Sequence, residues 1–251
     1  AVNLTGTSIT GTGTLTLGGN VTTNASASTS TISAPINLGG TSRTFQIADT
    51  PVAPDLNVTS VISGTGDLIK DGPGSFNLSA LNTYVGATTV NAGTLRVNLA
   101  GGAIPNASAV TVTGVLDLNG NNETVGSIAG TGTIGSGIAG TMTLTAGDAT
   151  STTFSGIIQN GSGTSVGLTK VGSGSLTLSG SNTYTGTTTL SAGTLNINSG
   201  TALGTGPFSI GAGTTIDNTS GGAITLSSNN TQNWSGDFTF TGSQNLNLGA
   251  G

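Results

Sequence analysis

Residues Leu68 to Asn98 read LIKDGPGSFNLSALNTYVGATTVNAGTLRVN, and Leu168 to Asn198 read LTKVGSGSLTLSGSNTYTGTTTLSAGTLNIN. The two stretches align without a gap. They share Lys70/Lys170, Gly72/Gly172, Gly74/Gly174, Asn82-Thr83-Tyr84/Asn182-Thr183-Tyr184, Gly86/Gly186 and Ala92-Gly93-Thr94-Leu95/Ala192-Gly193-Thr194-Leu195. A catalytic site is normally built once in a chain, whereas a supersecondary unit that recurs is how a solenoid grows, each copy burying its face against the next. The repetition therefore speaks first about architecture.

Composition narrows the chemistry. Only 5% of residues are charged, and histidine and cysteine are absent. A Ser-His or Cys-His nucleophilic pair, a zinc site of the usual kind and any disulfide are thereby excluded. The 4 basic residues (Arg43, Lys70, Arg96, Lys170) are scattered, and the 9 acids leave a net charge of −5. That is no electrostatic footprint for nucleic acid, so no nucleic-acid partner is expected. No apolar run is long enough for a membrane-spanning helix, and membrane insertion by this segment is not expected either.

Low charge with abundant glycine and serine is also the signature of a disordered linker. Against that, apolar residues alternate with polar ones in short runs such as Leu15-Thr16-Leu17, Val110-Thr111-Val112, Leu116-Asp117-Leu118, Met142-Thr143-Leu144 and Leu246-Asn247-Leu248. A period of two is that of half-buried strands. The runs are separated by glycine-rich turns such as Gly72-Pro73-Gly74 and Gly161-Ser162-Gly163. A shorter phrase recurs as well: Ser8-Ile9-Thr10-Gly11-Thr12-Gly13, Val61-Ile62-Ser63-Gly64-Thr65-Gly66 and Ser127-Ile128-Ala129-Gly130-Thr131-Gly132.

An antiparallel sandwich has no need of such repetition, whereas a parallel β-helix stacks the same strand on itself about every 4.8 Å. With roughly 20 to 30 residues per turn, the chain is expected to make about ten rungs, with the two copies some four rungs apart. One continuous solenoid is expected over residues 1–251, less regular over 1–60, where 21–33 reads as an irregular rung, loop or cap. Asp49 to Asp55 carries two prolines and reads as an excursion from the coil. The closing phrase Thr241 to Gly251 has the form of a strand with no capping element, so the coil is expected to continue, within a longer protein or into a neighbouring subunit.

The phrase from Leu168 to Leu195 closely resembles the autotransporter-associated β-strand repeat, also called the passenger-associated transport repeat. Its order of Lys170, paired glycines, alternating leucines, Asn182-Thr183-Tyr184-Thr185-Gly186 and Ala192-Gly193-Thr194-Leu195 is specific. The upstream copy departs at Asp71, Pro73, Phe76, Ala80 and Leu81 but keeps the frame. The resemblance implies a right-handed parallel β-helix in the secreted passenger of a bacterial surface protein, held at the outer membrane by a part outside this chain. It implies a scaffold with no catalytic residues, in which the shared glycines are corners, Tyr84 and Tyr184 pack or cap a turn, and Leu78, Leu95, Leu178 and Leu195 face the core.

β-helices also include polysaccharide-acting enzymes with clustered acids in a groove. The nearest approaches to a cluster are Asp67 with Asp71 and Asp117 with Glu123, and the first pair sits where aspartate commonly bonds its own turn. Trp234, Phe238 and Phe240 suit a sugar-stacking platform, but their spacing reads better as alternation into the core. No catalytic, cofactor-binding or metal-binding residue is singled out, and no cofactor is expected. The chain thus reads as a non-enzymatic extracellular stalk or adhesive segment. A self-assembling subunit of a filament or sheath is the alternative, and a polysaccharide-acting enzyme comes last. Expected partners are further copies, through open solenoid ends or flat faces, and glycans or proteins of a host or neighbouring cell surface.

Overall fold

A computed structural model describes residues 1–250; Gly251, the last residue of the closing phrase, lies outside the described residues. Among the described residues every regular element is a strand, every strand pairing is parallel, and the partners are never sequence neighbours. That is a coil seen strand by strand. Each turn contributes one segment to each of three faces. The first face is an unbroken sheet of 12 strands, from Val2–Leu4 to Thr239–Phe240, so the coil makes twelve turns. The second face is a sheet of 8 strands and, after a gap, one of 2; the third is a sheet of 3 strands and, after a gap, one of 6. Rungs are numbered below by the strand of the first face that opens them.

Period-two patterning generates this arrangement directly. On the second face Leu56, Phe76, Leu95, Leu116, Ile134 and Ile158 stand in register on successive rungs, and all are fully buried. The residues between them form the outward column Asn57, Asn77, Arg96, Asp117. A one-residue slip would exchange the two columns, so burial of about 1.5–3 kcal/mol per aliphatic side chain sets the register. Phe45 and Phe76 stack across the interior with ring centroids 4.9 Å apart.

Twelve turns replace the expected ten because many turns lie at or below the short end of the assumed range: one runs only from Val110 to Ile128, and one of the longest from Phe45 to Lys70. At about 4.8 Å per rung the rod is about 55 Å long. Residues 21–33 supply two strands, Val21–Thr23 and Ser30–Ile32, in register with rungs on either side. The proline-bearing stretch is the connection from Arg43–Ile47 to Leu56–Val58.

The spacing of the two long repeats also differs from expectation. Leu78 and Leu178 both point inward and are fully buried. They are not on equivalent faces. The first copy opens on the first face of rung 4 (Leu68–Asp71), the second on the third face of rung 8 (Ser165–Lys170), nearly five turns on. Leu78 therefore stands in the second face and Leu178 in the first. The shorter phrase behaves alike: Ile9 lies in the second face, Ile62 in the third and Ile128 in the first.

Candidate functional site

The most elaborate polar chemistry in the molecule is internal and belongs to the two repeats. Lys70 is at an inward position, in register with buried Phe45 and Val90, and is itself fully buried. Its ammonium Nζ turns to the corner and donates to three backbone carbonyls: Asp71 at 3.0 Å, Gly72 at 2.7 Å and Ala92 at 2.9 Å. Lys170 does the same to Val171, Gly172 and Ala192 at 2.6, 3.0 and 3.2 Å. An ammonium has three donors, and the cage supplies three acceptors. Burial lowers the Lys70 ammonium to about 8, against the pull of Asp71 and Asp55, and lowers Lys170 against Asp148.

The cage explains one shared glycine. Gly93 and Gly193 have φ of 63° and 71°, and a Cβ on Gly93 would lie 2.4 Å from the Gly74 carbonyl oxygen and 2.7 Å from Lys70 Nζ. Any side chain would be strained there and would push into the cage.

The Asn-Thr-Tyr segments are where strands are absent. In the first copy the gap falls on the third face. Asn82 Oδ1 accepts from the Ile62 amide of the rung below at 2.7 Å, and Nδ2 donates to the Ala103 carbonyl of the rung above at 2.6 Å. In the second copy the gap falls on the second face, and Asn182 bonds the Ile158 amide and the Ala202 carbonyl at 2.7 Å each. The side-chain amide thus does what a strand peptide group does, carrying the ladder across a break. Tyr84 and Tyr184 fill the space behind, fully buried, with hydroxyls bonded to Thr88 and Thr188. Their expected packing role is what the structure shows.

The acids are dispersed. Asp67 accepts from the Ser42 hydroxyl and the Ala87 amide, and Asp71 from the Gly72 amide. Asp117 pairs with Arg96 Nε at 2.8 Å and accepts from the amides of Asn119 and Gly137. Glu123 lies inside the third face, where its carboxylate accepts from the Ile104 amide at 2.8 Å and the Gly102 amide at 3.3 Å. Burial pushes it up to about 7 despite those donors. Among the described residues no group of three potential ligands is placed to hold a metal ion. Neither candidate acid pair forms a groove of paired carboxylates.

The aromatic expectation needs correction. Trp234 and Phe240 stand in register with buried Ile210 and Ile216, so they do occupy inward columns, yet they are 63% and 45% exposed. Their strands pair on one side only among the described residues. With Phe238, whose ring meets Trp234 edge-on at 5.3 Å, they line an apolar cavity of about 190 Å³ with Leu246 and Leu248.

The lysine cages and asparagine bridges coincide with the family match. The passenger-associated-transport-repeat model matches residues 68–97 and 168–197, so this chain is a β-solenoid that carries that repeat twice. Among curated proteins it is similar to the adhesin BmaC autotransporter of Brucella suis biovar 1 (strain 1330), with 34% identity over 154 residues. The match covers 54% of this chain and 4% of that protein. No solved structure matches.

Proposed function

We propose that this chain is a stretch of the surface-exposed passenger of an autotransporter-like protein, a non-enzymatic β-helical stalk that gives reach and stiffness and carries adhesive surface. One observation bears the weight: the buried charged and amide groups of both matched repeats are spent on carbonyls and amides of their own backbone, in turn corners and across gaps in the sheet. The adhesin relative supports the surface setting, and attachment to the outer membrane through a part outside this chain belongs to the same proposal. Display of residues 1–251 ahead of an outer-membrane barrel, with an epitope tag at the amino end, tests it. The passenger reading expects the tag on intact cells and a protease-resistant rod. Retention of folded chain in the periplasm would sink it.

A second reading, a self-assembling subunit of a filament, draws on the exposed apolar side chains Trp234 and Phe240, with Phe238 beside them, as a surface for a neighbouring copy to cover. Sedimentation separates the two. Concentration-dependent growth abolished by Trp234→Ser favours the filament, and a monomer at high concentration overturns it.

A further inference from the structure

We infer that the outer surface of the second face, across rungs 5 to 8, is a binding groove for a neutral saccharide. The inference rests on the surface-adhesive reading only for the partner's being extracellular. A groove of about 290 Å³ runs there. Its floor is stripped of side chains at Gly135, Gly137 and Gly161. Two outward columns border it. One holds Arg96, Asp117 and Gly135 in register, with the Gln159 side chain lying against Gly135. The other holds Thr94, Val115, Thr133 and Ile157 in register.

The chemistry of the columns is complementary to a pyranose ring. Arg96 engages Asp117 through Nε alone, and among the described residues neither its terminal nitrogens nor the Gln159 amide has a hydrogen-bond partner. A planar guanidinium and a planar amide thus offer spare donors and an acceptor to ring hydroxyls. Of the exposed large hydrophobic side chains, Val115 (37% exposed) lines the groove and Ile157 (41%) stands two rungs on in the same outward column. They present an apolar surface to the C–H face of a sugar, about 7 Å from the polar column. The volume suits about one or two sugar rings.

Charge and topology dismiss other occupants. Arg96 and Asp117 neutralise one another within the groove, and the chain is net −5, so a polyanion gains nothing. An extended peptide binds by adding to a free strand edge. On this face the strands of rungs 5 to 7 are paired on both sides, and the outer edge of Ile157–Gly161 on rung 8 is taken by the Asn182-Thr183 segment, which bonds the Ile158 amide and carbonyl. The third face has a groove of about 330 Å³, but threonine, serine and glycine dominate its lining and no planar polar side chain faces it.

Titration of the isotopically labelled chain, followed by NMR, decides the matter. The probes are neutral oligosaccharides of hexoses and N-acetylhexosamines, two to six units long, with a uronic acid oligomer as charged control. At least one neutral member is expected to give saturable shifts confined to Arg96 Nε, the three groove glycines and the methyls of Val115 and Ile157. Gln159→Ala, a half-exposed position whose loss spares the fold, is expected to weaken that binding at least tenfold with an unchanged melting temperature. Absence of saturation with every neutral member, shifts elsewhere, binding of the uronic acid oligomer alone, or an unaffected Gln159→Ala variant would each overturn the inference. None of these touches the display experiment above, so the two proposals fail separately.

Discussion

The two repeat copies carry the same internal devices on different faces of the rod. Lysine cage, asparagine bridge and buried tyrosine recur atom for atom, although the second copy is rotated by a face relative to the first. What differs is all around them. Asp71 becomes Val171 beside the cage, exposed Leu81 and Val85 become Ser181 and Thr185, and Arg96 with its Asp117 partner becomes Asn196 bonded to Thr177. The repeat is thus a self-contained corner-and-gap unit, indifferent to which face receives it. A solenoid face has no intrinsic identity: each presents the same pleat and the same 4.8 Å or so of vertical spacing.

The largest expected effect tests that equivalence at its core. Leu78→Asp and Leu178→Asp each place an unpaired carboxylate in the interior and are expected to cost about 4 kcal/mol or more. Equal losses in chemical denaturation, despite the different faces, sustain the equivalence. A mild effect at either site would break it.

Next come the cages. Lys70→Met and Lys170→Met leave three buried carbonyls without their donor, at an expected cost of about 3 kcal/mol each. If the unit is independent of its surroundings, the two losses should agree within about 1 kcal/mol, although Asp71 and Asp55 assist only the first. A large disparity would mean that the neighbours, rather than the cage, hold the lysine.

Glu123 sharpens the contrast, because it follows the first copy and Ala223 stands a hundred residues later, after the second. A carboxylate whose folded value is raised to about 7 is favoured in its protonated form by the fold. Its contribution is complete below about 4.5, the unfolded value, and is lost as pH rises through about 7. Stability should therefore fall by about 2 kcal/mol between pH 5 and pH 8 on account of this group. Glu123→Gln is expected to flatten that slope in denaturation midpoints recorded across the range. An unchanged slope would locate the titration elsewhere.

The smallest effect is at Asp71. Its carboxylate accepts only a local turn bond from Gly72, and the second copy folds with valine there. Asp71→Asn should cost about 1 kcal/mol or less, read as a small shift in melting temperature.

Much of this was legible in the residues themselves. Alternation in Leu116-Asp117-Leu118 and its like reads as strand because the side-chain period of a strand is two, and gap-free duplication reads as stacking because one repeat cannot bury its own face. Leu78, Leu178 and both tyrosines lie inside, as the resemblance to the transport repeat implies. Lys70 and Lys170 were the missed signal. They share parity with Leu68 and Leu168, which marks them as inward, but a lone cation inside a strand makes sense only once the carbonyls of a corner two rungs deep are seen to converge on it. The asparagine bridges were hidden for the same reason, since their partners lie some twenty residues away on either side.

The sequence by itself determined the strand period, the corners, the repeat unit and hence a parallel coil without a catalytic centre of histidine or cysteine. Only the tertiary structure decided how many turns the coil makes, on which face each repeat lands, and which outward side chains meet in one groove. The physical reason is cumulative. Each turn's length is set locally by its corners, a residue more or less per turn is tolerated, and the face reached after a hundred residues is the sum of those small differences, which stacking alone reveals.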